Sequence, residues 1–542
     1  MVSYIRFSPL KYFSSTFLIK CIFLPLLLSI KQSDKLRNSA ILEGVQNIGD
    51  KLKQGPAFLV IGDAHHNLGD FRKALHNHEL YLSYIEEEDR AAIGRAHGIL
   101  GKDHLGLGNH KHALICYEQQ LEIAKETGER VEERQACENL GHLYFKIANF
   151  KFAAMWYKCA VYIAEEIGDK KEIGKAKRYL GNCHYHNGRF ENAIKYHRKD
   201  LKLAKELGDK ESEGIAYGNL GDVYFSLGEF QEAITYHEKS LDIAREAKNC
   251  AEEGKACYAI GCCFESLGSL DRAERWLRLS KKKFDNLRKP SYSNDEWVIN
   301  IQDRYKIVIV ALWRTLLKQK KAKDALLVAE EGRAQALRDL LKLTSESHCP
   351  EIDHLDHLPS LLSSLSCVTL FLAIEKKNIT IWVINENDVQ VRQSKIDERS
   401  RALGQELNLT FDSLVQASYF LLEIEVHSSS EGCALKAEVI RRERDESKKE
   451  ALKMLYHVVI RPVEDLLTGD EIIIVPDGPL CRAPFTALID SHDRYICESY
   501  RVRLVPSLTS LKLIADSPKY HGKGRVLLVG NPNLAEIVIE QP

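Results

Sequence analysis

The stretch Leu220-Gly221-Asp222-Val223-Tyr224, continued by Leu227-Gly228-Glu229-Phe230 and then by Ala233 and Tyr236, decides how this chain folds. Its glycine belongs to a ladder, Gly101, Gly141, Gly181, Gly221 and Gly261, with forty residues between successive rungs. Alanines keep the same step at Ala113, Ala153, Ala193, Ala233 and Ala273, and a second row stands at Ala124, Ala164, Ala204 and Ala244. One register explains three columns, and self-similarity at a fixed period is the mark of a stacked-repeat architecture. A sixth copy lies upstream at Gly62, Gly69 and Ala74. It is displaced by one residue, which a deletion near Glu86 to Arg90 accounts for.

Each copy reads as two antiparallel helices, for instance Gly218 to Ser226 and Phe230 to Ala247, parted by the turn Leu227 to Glu229. The small residues mark places where the helices cross closely, so that a larger side chain would push them apart. Tyr224, Phe230 and Leu241 supply apolar bulk between them. Between Pro56 and Pro290 there is no proline, as uninterrupted helices require.

This pattern resembles the tetratricopeptide repeat, whose signature is Leu-Gly-x-x-Tyr, then Ala, then an aromatic. Leu220, Gly221, Tyr224, Gly228, Phe230, Ala233 and Tyr236 fit it in one copy, and Leu140, Gly141, Tyr144, Phe150, Ala153 and Tyr157 in another. The usual unit is about 34 residues with a closing proline; here Gly168-Asp169 and Gly208-Asp209 hold the corners instead. Repeats of this longer kind resemble those of the spindle-orientation adaptor family, and that likeness implies cytoskeletal or mitotic partners.

Stacked units of this sort form an α-α superhelix with a concave groove lined by the first helix of each pair, a shape suited to a peptide. Positions six and three before the ladder glycine, and one after it, are expected to face that groove. They select Arg95, Lys102, Gln135, Glu138, His142, Lys175, Arg178, Asn182 and Asp222 as the peptide-binding set.

The chain has 542 residues, 44% of them hydrophobic, enough for several cores. Lys and Arg number 76 against 77 Asp and Glu, so a net charge of −1 offers no overall field for nucleic acid or an anionic membrane. Fourteen cysteines without repeated short spacing read as small buried hydrophobes in a reducing, cytoplasmic compartment. Phe17 to Ile30 is apolar apart from Lys20 and follows Arg6 and Lys11, in the manner of a signal peptide. It is too short to span a bilayer and no small-x-small cleavage site follows, so membrane attachment is not expected.

The expected division is an apolar segment over 1–37, a leading helix over 38–57, six repeats over 58–285, capping helices over 286–345 and a linker over 346–358. A partial α/β domain then covers 359–542. In the linker His348, Cys349, Asp353, His354, Asp356 and His357 crowd together, but no second pair at structural-zinc spacing follows, so neither metal nor other cofactor is expected. Beyond Pro359 the period becomes strand-like. Val368 to Ile374 and Ile379 to Ile384 signal a hairpin, Leu452 to Leu467 an amphipathic helix, and Ile472 to Val475, Arg501 to Val505 and Val526 to Val529 short buried strands.

The series Val475-Pro476-Asp477-Gly478, Leu480, Pro484-Phe485, Leu488, Pro506-Ser507-Leu508 and Gly530-Asn531-Pro532 is similar to the first half of a CHAT domain, a type related to caspases. Ala329-Glu330-Glu331-Gly332-Arg333-Ala334 is similar to the helix preceding that domain. Proteolytic members of the family carry a His and a Cys that follow the Gly-Asn-Pro element, because an imidazole must take the thiol proton and backbone amides must hold the oxyanion. Pro542 stands ten residues past Gly-Asn-Pro, and Cys481, Cys497, His492 and His521 lack the family's setting. The expectation is therefore a protein-binding scaffold with no catalytic pair. The alternative is a cysteine peptidase regulated by its repeats.

Overall fold

The structure is a computed structural model and describes residues 51–287, 295–344, 367–385, 388–396, 410–419 and 449–511. Phe17 to Ile30, the linker cluster, Val526 to Val529 and the Gly-Asn-Pro element lie outside these residues. The chain divides into two compact units, Met1–Gln319 and Lys320–Pro542.

The described residues of the first unit form six helical hairpins in succession. Helices α1 (Lys51–Asn67) and α2 (Phe71–Ser83) form the first, α3 (Arg90–Gly106) and α4 (His110–Thr127) the second, and α5 (Arg130–Lys146) and α6 (Phe150–Ile167) the third. Next come α7 (Lys170–His186) with α8 (Phe190–Leu207), α9 (Lys210–Leu227) with α10 (Phe230–Glu246), and α11 (Cys250–Ser266) with α12 (Leu270–Leu287). Helix α13 (Asp295–Lys318) packs on α12.

The ladder reading places the small residues as expected. Ala74, Ala113, Ala153, Ala193, Ala233 and Ala273 are all fully buried. A Cβ built on Gly101 would sit 2.4 Å from Tyr117, on Gly141 2.7 Å from Tyr157, on Gly181 2.6 Å from His197 and on Gly261 2.8 Å from Leu277. The covering side chain always comes sixteen residues later in sequence, a column of which the sequence reading named only Tyr157. Its members vary chemically among Tyr, His and Leu, so identity alone could not reveal it.

The first helices are longer than the turn signals suggested. Helix α9 begins at Lys210, not near Gly218, because Asp209 caps it by accepting a hydrogen bond from the Ser212 amide at 3.0 Å. Gly214 and Gly218 weaken its intrinsic propensity, and burial of Ala216, Tyr217 and Leu220 overrides that cost. Likewise α1 already runs from Lys51, with Pro56 inside it, so part of the expected leading helix belongs to the first hairpin.

Hairpin turns use a left-handed residue, glycine at 108, 188, 228 and 268. In the third hairpin Ala148 takes that conformation at φ 59°, and at the corner before the sixth Lys248 does so at φ 54°.

The second unit holds a five-stranded sheet in the order β3-β2-β1-β4-β5. Strands β1 (Val368–Glu375), β2 (Asn378–Ile384) and β3 (Val389–Lys395) form an antiparallel meander, while β4 (Glu471–Val475) and β5 (Arg501–Leu504) run parallel to β1. One face, with Leu370, Leu372, Ile381 and Ile474, packs on α15 (Phe411–Tyr419) and the helix at 449–459. Strand β3 escaped the sequence reading because only Val389 and Val391 are apolar in it. The helix expected to reach Leu467 stops at 459, since Pro462 cannot continue it and a tighter turn over Arg461–Leu466 follows.

Helix α14 (Ala322–Thr344) corrects the expected cap over 286–345. It belongs to the second unit, where Ala322 O accepts a hydrogen bond from Trp382 Nε1 at 3.1 Å. Its physical anchor is Arg333, whose guanidinium lies 4.1 Å from the Phe371 ring centroid and donates to the carbonyls of Leu372 and, at 3.2 Å, Val475. Three residues earlier Glu330, fully buried, accepts hydrogen bonds from Leu508 N, Thr509 N and Thr509 Oγ1 at 3.1, 2.8 and 2.7 Å.

Candidate functional site: the groove lined by the first helices

Two cavities open where first helices of adjacent hairpins face one another. The first, about 420 Å³, is lined by His66, Lys102, Gln135, Glu138, His142, Lys146 and Lys175 among others. Five of the nine expected groove residues, Lys102, Gln135, Glu138, His142 and Lys175, therefore meet at one place.

Glu138 is buried there and is held by cations on both sides. Arg134 donates to it from the preceding turn, and Lys175 Nζ of the next hairpin donates at 3.2 Å. Arg134 also reaches Glu172 at 2.9 Å, and Lys175 reaches the same carboxylate at 3.4 Å. The result is a four-member network spanning α5 and α7. Burial pulls the Lys175 ammonium down, but Glu138 and Glu172 outweigh it and the net displacement is upward. His142 packs edge-on against Tyr157 and Tyr179, at 5.5 and 4.6 Å, which stack on each other at 5.2 Å, and burial pulls its imidazole below the ordinary range. Lys102 is exposed and points a charge into this cavity.

The second cavity, about 690 Å³, is formed by α9, α11 and α13. Asp222 lines it together with Asn219, Phe225, Tyr258, Cys262 and Arg304. Water reaches 60% of the Asp222 side chain, yet protein rises on several sides of it. That confinement raises its carboxyl above the usual carboxylate range, with Arg304 pulling the other way. Beside it, the Nδ2 of Asn219 is buried with no hydrogen-bond partner among the described residues. At the cavity's far side Glu265 receives Arg314 through two bonds, at 2.8 and 2.7 Å, and Lys318 at 2.8 Å.

The other expected residues divide. Arg178 is half-buried and turned toward its own hairpin, where its Nε donates to Asp200 Oδ2 at 2.8 Å and its Nη2 to Oδ1 at 3.3 Å. Asp200 is buried, and burial raises its carboxyl despite Arg178. Arg178 thus neutralises a core acid and has no free fork for a ligand. Arg95 is exposed and Asn182 half-buried, and neither lines the two cavities. Sequence reasoning missed Arg134, Glu172, Asn219 and Arg304. Asn219 sits two places before its ladder glycine, as Asn139 does, and that shared offset was the available signal.

In the second unit Cys481 is exposed, with a thiol that burial of its sulfur raises. His492 approaches Ser491 at 3.4 Å and Asp490 at 3.8 Å through the same ring nitrogen, so it cannot relay between them. Among the described residues no cluster of His, Cys, Asp or Glu could hold a metal, and no helix is long and apolar enough to cross a membrane.

Fold and groove define a helical-repeat protein joined to a small α/β unit. The tetratricopeptide repeat family model matches residues 172–246 and 214–281, and the CHAT domain model matches residues 449–540. The chain thus carries tetratricopeptide repeats followed by a CHAT-domain segment, and strands β1 to β3 precede the matched part of the latter. No curated protein is significantly similar to the chain. Among solved structures, BtubC from P. vanneervenii is 20% identical, with 42% of this chain and 92% of that one covered and a TM-score of 0.36. A signal-transduction ATPase with a tetratricopeptide repeat sensor from Pyrococcus horikoshii is 17% identical over 61% and 48%, with a TM-score of 0.44. The Rap conjugation gene regulator of plasmid pLS20, solved with the Phr* peptide, is 16% identical over 55% and 78%, with a TM-score of 0.35.

Proposed function

We propose that this chain is a non-catalytic cytoplasmic scaffold whose first unit binds a segment of another protein along the groove of α1, α3, α5, α7, α9, α11 and α13. The observation that carries this reading is the second cavity. It offers an orphaned donor on Asn219, an acid on Asp222 and a cation on Arg304 around the apolar surface of Phe225. Peptide backbone carbonyls satisfy an amide donor of that kind, and an unmade bond there costs about 1–3 kcal/mol. The first cavity supplies Lys102, with Lys175, Gln135, Glu138 and His142 as the wall behind it. Arg95 and Asn182 serve as outlying contacts. The charges of the groove are of both signs and largely paired, which favours a protein ligand over nucleic acid or a membrane. Cytoskeletal or mitotic proteins are the class of partner that the resemblance of the repeats to those of the spindle-orientation adaptor family suggests.

The CHAT-domain segment supports the reading of a regulatory or vestigial module more than that of a peptidase. The raised Cys481 thiol has Arg333, Asp477 and Arg482 as its charged neighbours and no imidazole base among them. Capture of one bound protein by the full chain, lost in Asp222→Arg and kept in Cys481→Ser, tests both halves of the proposal. Retention in Asp222→Arg refutes the groove, and peptide hydrolysis that vanishes in Cys481→Ser refutes the absence of catalysis.

A further inference from the structure

The outer helices carry a second surface. On α6 the side chains of Phe152, Met155 and Tyr162 are 47%, 46% and 61% exposed, and the exposed thiol of Cys159 completes the row. Their spacing of three, four and three residues puts them on one face of the helix. The row is about 15 Å long at 1.5 Å per residue, close to three helical turns.

The repeat supplies an internal control, because forty residues on, the same outward positions recur on the same kind of helix. On α8 they are Asn192, Lys195, Lys199 and Lys202, and on α10 Glu232, Thr235, Lys239 and Asp242, all exposed. On α8 and α10 the outer face is polar, so stacking does not demand apolar residues there; on α4 one of the four positions, Ile115, is apolar and exposed. The third hairpin alone bears a continuous apolar row, and the next bears three lysines. Neither Lys195 nor Lys199 has a carboxylate partner among the described residues, and Lys202 reaches Glu206 only at 3.9 Å. Contiguous apolar surface of this kind, rimmed by charge, marks an interaction site.

We infer that the outer face of α6 and α8 binds an amphipathic helix from another protein, whose apolar side lies along Phe152, Met155 and Tyr162 and whose acidic flank faces Lys195, Lys199 and Lys202. Charge selects this occupant. A second copy laid antiparallel on α6 brings the two lysine rows of α8 face to face, and like charges so juxtaposed are repulsive. Phe152 is stacked on Tyr144 at 5.4 Å, so its ring is held in place for a rod lying along the surface. Helix-on-apolar-row recognition with flanking charge is a general mode of binding, and the charged flank sets the direction and choice of partner.

The test uses the full chain and two synthetic amphipathic helices that share a leucine face, one flanked by glutamates and the other by lysines, with binding read by fluorescence anisotropy. The glutamate helix binds saturably and the lysine helix more than tenfold weaker. Met155→Glu and, as a milder second variant, Tyr162→Gln weaken the glutamate helix by at least tenfold, and Lys195→Glu with Lys199→Glu reverses the preference. Asp222→Arg leaves it unchanged, which separates this surface from the groove. Equal affinity for the two helices, absence of saturable binding, loss in Asp222→Arg, self-association that depends on Met155, or Met155-dependent binding to phosphatidylserine vesicles would each overturn the inference.

Discussion

A Cβ placed on Gly221 would lie 2.4 Å from Cε1 of His237, closer than any side chain tolerates. The imidazole fills the space between α9 and α10, so the pair fixes how near the two helices come. Gly221→Ala is expected to destabilise the first unit by roughly 1–3 kcal/mol through overpacking, and Gly221→Leu by more. Denaturant unfolding followed by circular dichroism measures it, and an unchanged midpoint contradicts the repeat register.

Acid should loosen the stack through the same column. His197 and His237 are buried, and burial pushes both imidazoles down to about 4 although Asp222 stands 3.8 Å from His237; for His197 the neighbouring Arg178 adds to the effect. A depressed histidine contributes stability that is full above its unfolded value near 6.5 and is lost as pH falls through about 4. The loss approaches about 3 kcal/mol for each. His237→Leu, which copies Leu277 of the sixth hairpin, should flatten the acid limb of a plot of melting temperature against pH. An acid limb unaltered by the substitution contradicts the assignment.

His78 holds the same column position in the first hairpin and behaves oppositely. Burial alone would lower it, but Asp103 and Asp63 face it, Asp103 Oδ2 lies 2.5 Å from its Nδ1, and the imidazole is raised to about 9. Its contribution is full below 6.5 and is lost as pH rises through about 9. Protection of the α2 amides, referenced to an unstructured peptide at each pH, should therefore fall between those values in the wild type but not in His78→Leu.

Ala148 and Lys248 occupy a backbone region that costs an L-residue about 1 kcal/mol. Ala148→Gly and Lys248→Gly are expected to be neutral to stabilising by about 0.5–1 kcal/mol, after the greater entropy of glycine in the unfolded chain is offset. Gly228→Ala, at φ 83°, is the reverse control and should destabilise. Melting temperatures decide between these directions.

Arg333→Leu removes the donors to the carbonyls of Leu372 and Val475 and leaves Asp477, 3.7 Å away, without its cation. Burial lowers the guanidinium's own affinity for its proton, but the group keeps its charge. A loss of about 2–4 kcal/mol in the second unit is expected. Hydrogen exchange over β1 and β4 measures it, and unchanged exchange there would show that the arginine is dispensable.

The ladder was legible because close helix crossings admit only Gly or Ala, so Gly221 and Ala233 recur in every copy whatever else varies. The covering column was not, because Tyr157, His197 and Leu277 fill similar space with different chemistry. That Lys102 and His142 share one cavity followed from helical spacing. Arg178 did not, since its partner Asp200 lies on the other helix of the hairpin and no spacing rule reaches across. The place of α14 was hidden for the same reason: its stripe reads alike whether a helix or a sheet receives it.

A polypeptide seated in the groove can be captured by photo-cross-linking from single positions. Benzoylphenylalanine placed in the full chain at Lys102 or Asn182, both on first helices, should capture the partner, while the same probe at Asp242 on the outer face of α10 should not. Capture from Asp242 with none from Lys102 or Asn182 would contradict binding in the groove.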